Sequence, residues 1–205
     1  VMMAEHYIDD EDEVLILCGD TPLIKGETLK EMTKIKSEGY AAVVMSAVED
    51  DPTGYGRIIR DESNDFMRIR EQKDASEEEK AIKEINAGMY IINGKLLKEN
   101  LSKLSVNNAQ REYYLTDVLE HIKNAGHRIG VYQADKMEIM GVNSRLQLSE
   151  AERIMRIDVN KMHMANGVTL IDTNSTYIDK NVKIGRDTII YPNCHIKGNS
   201  VIGED

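Results

Sequence analysis

Apolar residues in this chain fall in short blocks separated by charged stretches. The first block, Val14, Leu15, Ile16, Leu17 and Cys18, stops at Gly19 and Asp20, and Thr21, Pro22 and Leu23 follow. Four of its five residues are aliphatic, the pattern of a strand buried on both faces of a parallel sheet. Such sheets bind ligands just beyond the carboxyl ends of their strands. Asp20 therefore stands where a metal–phosphate ligand would be held, and Gly19 lets the backbone approach it closely. Residues 28–36 read as a helix ended by Gly39, and residues 41–48 as a second buried strand. The glycine-rich turn 51–56 opens into a third strand at Arg57, Ile58 and Ile59. Further strands are expected at 66–70, at 85–92 with a break at Asn86, Ala87 and Gly88, and at 129–134; a charged helical turn is expected at 77–83. Leu115, Val118, Leu119 and Ile122 keep helical spacing, with Gly126 as the stop. Strands alternating with helices imply an α/β domain.

The remaining third follows two other rhythms. Residues 145–166 form a long helical stretch carrying Leu146, Leu148, Ile154, Met155 and Ile157, and Gly167 ends it. Then Ile178, Ile184, Ile190, Ile196 and Ile202 recur every sixth residue. Four positions after each of the first four stand Val182, Thr188, Cys194 and Ser200, all small or β-branched. A helix of about 3.6 residues per turn cannot keep every sixth residue on one face. Hexapeptide repeats of this kind belong to parallel β-helices. The expected organisation is an α/β domain over 1–144, a linker helix over 145–166 and a partial coil over 167–205. The chain begins as if inside a helix and ends inside a hexad, which gives the expectation that it belongs to a longer protein.

Composition narrows the function classes. Of 205 residues, 41% are hydrophobic and 30% charged, with a net charge of -10. No stretch approaches the roughly 18 apolar residues of a membrane span. No basic stripe is present to neutralise a nucleic-acid backbone, so neither membrane nor nucleic acid is an expected partner. Cys18 and Cys194 show no metal-binding spacing, which suits a reducing cytoplasm.

Several segments carry a resemblance. They are Leu17-Cys18-Gly19-Asp20-Thr21-Pro22-Leu23, Asp50-Asp51-Pro52-Thr53-Gly54-Tyr55-Gly56-Arg57-Ile58, Glu71-Gln72-Lys73-Asp74 and Glu84-Ile85-Asn86-Ala87-Gly88. Asn107-Asn108-Ala109-Gln110, Glu112-Tyr113-Tyr114-Leu115-Thr116-Asp117 and Gly141-Val142-Asn143-Ser144-Arg145 continue them. In this order, followed by a helix and hexads, they resemble the bifunctional N-acetylglucosamine-1-phosphate uridyltransferase / glucosamine-1-phosphate acetyltransferase family. The resemblance implies a Rossmann-like nucleotidyltransferase domain, truncated here, a helical arm and the start of a left-handed parallel β-helix. It implies Mg²⁺-dependent transfer of a uridylyl group from UTP to N-acetylglucosamine-1-phosphate, in a cytoplasmic homotrimer joined through its coil.

The resemblance also assigns residues. Asp20 is implied as the catalytic metal ligand, with Asn143 as the second. One anionic and one neutral oxygen would leave positive charge on Mg²⁺ for phosphates. Gly19, Gly56, Glu71, Asn86 and Asn143 are implied in substrate binding, with Gly56 placing backbone against the sugar and Glu71 and Asn86 bonding its hydroxyl or acetamido groups. Tyr55, Arg57, Lys73 and Thr116 are weaker candidates that fit structural roles. Cys18 stands where some relatives carry a larger residue bordering the ligand. The glycine-rich loop that holds UTP phosphates in the family has no counterpart in these residues, so the fragment by itself is expected to be inactive. The acetyl-CoA pocket and its histidine lie further along the coil in the family, and His195 does not fill that role. Two other readings stay open: a glucose-1-phosphate adenylyl- or thymidylyltransferase with a coil, and a non-catalytic assembly module.

Overall fold

The computed structural model describes all 205 residues, which form two compact units, Val1–Met140 and Gly141–Asp205. In the first, a 3-10 turn over Met2–Tyr7 precedes strand β1 (Glu13–Ile16) and helix α1 (Gly26–Ser37). Strands β2 (Ala42–Val48), β3 (Arg57–Arg60) and β4 (Phe66–Arg70) follow, then helix α2 (Glu77–Lys80), strand β5 (Glu84–Asn93) and helix α3 (Gly94–Leu101). Helix α4 (Thr116–Asn124) and strand β6 (Ile129–Gln133) complete the unit. The sheet order is β4-β3-β5-β2-β6, and β1 also pairs with β5.

Alternation along the strands divides the core into two layers. On β2, Ala42 and Val44 join Ile92, Leu97, Val118, Leu119 and Ile122 under α3 and α4. Val43, Met45 and Ala47 face the other way and pack with Met32 of α1, Ile85, Met89 and Ile91. A strand in mid-sheet has both sets covered, so β2 is buried from Ala42 to Ala47. The α/β expectation therefore holds, with helices on both faces of the sheet.

The expected parallel sheet is corrected. Only β2 and β6 pair in parallel; β5 runs antiparallel to β1, β2 and β3. The expected double burial of the first strand is also corrected. Exposure alternates along β1, and Leu15 and Leu17 are 44% and 42% exposed. A continuous apolar run fixes the strand but not the number of covered faces. The expected break at 86–88 is a bulge instead. Val44 pairs with Tyr90 and Ser46 with Asn86, so β5 spends two extra residues there without ending. Gly88 sits in this bulge at φ +74°, a conformation glycine adopts without strain. Helix α3 went unread because Asn93-Gly94 is a hairpin signal; here Asn93 Oδ1 accepts from Leu96 N–H at 3.2 Å and caps a helix.

In the second unit, Ser144 caps helix α5 (Arg145–Ala165), and six two-residue strands follow. They are β7 (Thr169–Leu170), β8 (Tyr177–Ile178), β9 (Lys183–Ile184), β10 (Ile189–Ile190), β11 (His195–Ile196) and β12 (Val201–Ile202). Each of the first three pairs in parallel with the strand three further on, so Ile178 lies beside Ile196 and Ile184 beside Ile202. All five hexad isoleucines occupy the inward second place of a strand. With Leu170, Val182 and Val159 of α5 they form one core. Asn160 of α5, 1% exposed, donates through Nδ2 to the carbonyls of Thr173 and Thr176 at 3.0 and 3.1 Å. The helix is thus tied to the coil it precedes.

Candidate active site

Three chain segments converge along one edge of β5. Strand β1 pairs with its upper part, Ile16 opposite Tyr90, and β3 with its lower part, Arg57 opposite Ile85. Residues 87–89 have no cross-strand partner in either ladder or in that with β2. Strands β1 and β3 both run antiparallel to β5. The end of one and the start of the other therefore meet at the bulge. The contacts match: Cys18 Sγ lies 3.4 Å from the Gly88 carbonyl, and Asn86 N–H donates to the Gly56 carbonyl at 2.8 Å.

Gly19 and Asp20 occupy the exposed turn that leaves β1, closed by a bond from Thr21 Oγ1 to the Cys18 carbonyl at 3.0 Å. Burial, and then the nearby Asp20 charge, push the Cys18 thiol above its ordinary range. Gly56 is buried at the start of β3. A Cβ there would lie 3.0 Å from Ile69 Cγ2 and 3.4 Å from both Glu71 carboxylate oxygens, so only glycine leaves this approach free. Glu71 follows β4 and is half-buried. Thr116, 6% exposed at the start of α4, donates to Glu71 Oε1 at 3.1 Å. The structure thus brings Gly56, Glu71 and Asn86 together and links them through Cys18 to the Asp20 turn. Asn143 belongs to the second unit, exposed just before α5, where its N–H donates to Gln147 Oε1 at 2.8 Å.

The residues read as structural act as supports. Arg57 is 1% exposed. Its guanidinium donates to the Tyr55 carbonyl, to Gln72 Oε1 at 2.8 Å and to the Lys80 carbonyl at 3.4 Å. Gln72 Oε1 also accepts from Gly54 N–H at 3.3 Å, so one cluster fixes the glycine-rich turn. Asp74 accepts from Ala109 N–H at 2.9 Å and Tyr114 Oη at 3.2 Å, holding loop 105–115 against the turn after β4. The Asn107–Asp117 motif is therefore largely a strap beside Glu71. A cleft of about 350 Å³ opens there, bordered by Asp74, Asn108, Tyr114, Asp117 and His121.

Burial raises the Glu71 carboxyl above its usual range, and the Asp117 and Asp74 charges add to this, against the Thr116 bond. A carboxyl raised on folding contributes stability that is complete below the unfolded value and lost as pH rises through the folded one. Glu71→Gln cannot ionise. It is expected to melt above the wild type near about pH 8, with the gap closing toward about pH 4. Melting curves at both pH values check this, and a variant that melts lower at the higher pH contradicts it.

Tyr90 is the functional side chain the sequence reading passed over. It is 3% exposed, and Asn86 Nδ2 donates to its Oη at 2.8 Å. Burial, and then Glu71 and Cys18 nearby, push its phenol far above the usual range, so it stays protonated. The available signal was spacing: Tyr90 is an even number of strand residues from Asn86, and a buried tyrosine hydroxyl needs a partner.

No group of three or more His, Cys, Asp or Glu residues could hold a metal ion here. The donor chemistry still fits Mg²⁺, which takes one or two protein oxygens and leaves its other positions to phosphates and water. Asp20 offers such a hard anionic oxygen at a solvent-facing strand end.

The site thus lies in a sheet covered by helices, with polar groups gathered where two strands part. The family model described as nucleotidyl transferase matches residues 1–139, and the chain belongs to that family. It is similar to the bifunctional protein GlmU of Caldanaerobacter subterraneus subsp. tengcongensis, 54% identical over 206 residues, and to that of Clostridioides difficile, 54% identical over 207. Both matches cover 100% of this chain and 45% of the relative, so the chain spans under half the length of these proteins. In fold it is also similar to a Bacillus anthracis structure described as a glucose-1-phosphate thymidylyltransferase in complex with sucrose, with TM-score 0.54 at 17% identity. That match covers 73% of this chain and 56% of the other.

Proposed function

We propose that this chain serves Mg²⁺-dependent uridylyl transfer from UTP to N-acetylglucosamine-1-phosphate, giving UDP-N-acetylglucosamine and pyrophosphate. The observation that carries the reading is the meeting of Gly56, Glu71 and Asn86 at the β5 bulge, beside the turn that presents Asp20. A phosphate oxygen of the sugar phosphate attacks the α-phosphorus of UTP, and the α–β anhydride bond breaks. Such transfer depends on in-line positioning and on stabilising charge on phosphate oxygens. Mg²⁺, for which Asp20 offers the anionic oxygen, would supply that charge when bound. Glu71 and Asn86 orient the sugar by its hydroxyl and acetamido groups, and Gly19 and Gly56 bring backbone close to it.

The coil is the beginning of a left-handed parallel β-helix in this reading, joined into a homotrimer. Exposed Ile171, Ile189 and Tyr191 support such an interface. No helix is long and apolar enough to cross a membrane. A cytoplasmic place in cell-envelope precursor synthesis goes with this function.

The test is pyrophosphate release by the native gene product that carries these residues. Release requires both UTP and N-acetylglucosamine-1-phosphate, stops on chelation by EDTA and returns with excess Mg²⁺. Turnover that survives thorough chelation contradicts the metal assignment. A preference for glucose-1-phosphate favours the adenylyl- or thymidylyltransferase reading instead.

A further inference from the structure

We propose that the Tyr90 hydroxyl is a positioning group that holds the Asn86 amide in the plane in which, with its oxygen set by Gly88, it presents an N–H donor to the acceptor sugar. The inference rests on the sugar-pocket role given to Asn86 above.

The argument is an inventory of the amide's bonding capacity. A carboxamide has two N–H donors and an oxygen with two lone pairs. Gly88 N–H donates to Asn86 Oδ1 at 3.1 Å. The Tyr90 hydroxyl lies 3.1 Å from the same oxygen, to which it donates, and 2.8 Å from Nδ2, from which it accepts. Both lone pairs and one N–H are thus engaged within the protein. One Nδ2 hydrogen is left over. The bulge makes this possible, because Gly88 at φ +74° turns its N–H back onto the side chain two residues earlier. A flip of the amide would face Nδ2 with the Gly88 donor, so Gly88 sets which end is the oxygen, while the hydroxyl, bonded to both ends, holds the amide in that plane.

A fixed donor selects for an acceptor on the ligand. The acetamido carbonyl of an N-acetylhexosamine provides one that glucose lacks. Glu71, whose carboxylate flanks Gly56, the residue whose carbonyl accepts from Asn86 N–H, supplies the complementary acceptor. A site built to bond a ligand group discriminates strongly against an analogue without it, because its own polar atom is then left unpaired.

The experiment is steady-state kinetics of Tyr90→Phe in the native gene product, with UTP, Mg²⁺ and either N-acetylglucosamine-1-phosphate or glucose-1-phosphate. The variant is expected to raise KM for the N-acetylated substrate about tenfold and keep kcat within about twofold. Its kcat/KM preference over glucose-1-phosphate then falls about tenfold. In an Asn86→Ala background the same change has no further effect on preference, since the amide through which Tyr90 acts is gone. Asn86→Asp keeps the shape and the Tyr90 donor but presents only acceptors, and it loses the preference without touching Tyr90. Unchanged preference in Tyr90→Phe, equal loss on both substrates, or additivity with Asn86→Ala overturns the positioning role alone. A wild-type protein without preference for the N-acetylated substrate overturns the pocket reading and this inference together.

Discussion

Asp20→Asn is expected to cut uridylyl transfer by about a thousandfold or more, equivalent to ~4 kcal/mol of transition-state stabilisation. Asparagine keeps the size and one oxygen but removes the negative charge. A hard divalent cation loses the anionic protein donor that Asp20 offers. The fold is expected to survive, because Asp20 is exposed in a turn whose closing bond is made by Thr21 and the Cys18 carbonyl. The measurement is pyrophosphate release alongside a thermal melt and a titration with Mn²⁺ followed by electron paramagnetic resonance. Turnover within tenfold of the wild type, or undiminished Mn²⁺ affinity, removes Asp20 from the metal site.

Leu119→Ala is expected to destabilise the first unit strongly. Leu119 is fully buried in the layer beneath α3 and α4. Removing its branched end leaves a cavity among Ile69, Val118, Ile122 and their neighbours, at a cost of about 3 kcal/mol. At this chain length that is a fall of ~6–12 °C in Tm. The loss should reach the site as well. Helix α4 begins at Thr116, whose hydroxyl holds Glu71, so a loosened helix frees that carboxylate. A KM rise of several-fold for the sugar phosphate at a temperature well below Tm is the second readout. Calorimetry that shows less than about 1 kcal/mol of destabilisation contradicts the packing argument.

These two sites show what the sequence made legible. Elements with strong local signals were read closely. Strand β4 falls at residues 66–70 as expected, α5 stops before Gly167, and every hexad isoleucine lies in a strand. Periodicity alone carries that information, since one side of each element must meet a core. Gly56, Glu71 and Asn86, which converge at the bulge, were named together through motif order, and their sugar-binding role is the proposal made above. Their supports were less legible. Thr116 and Arg57 were known as candidates but not as a carboxylate holder and a turn clasp, because both roles depend on contacts across 45 and 15 residues of sequence respectively. Tyr90 was missed altogether, read as one more apolar strand residue. The direction of β1 was also misread. A run of aliphatic side chains specifies an extended conformation, but which neighbour it pairs with, and on which side it is covered, are decided by the rest of the sheet.

The bulge in β5 separates two kinds of evolutionary constraint along a single strand. Residues 90–93 and 84–86 are committed to partners on β1, β2 and β3, and change there is opposed by folding itself. Residues 87–89 escape that obligation but are held by other means, Gly88 by its backbone at φ +74° and Met89 by full burial with Met32 and its neighbours. Within this interval only half-buried Ala87 is bound by neither, which makes it the first position at which inherited change can touch the site without disturbing the sheet.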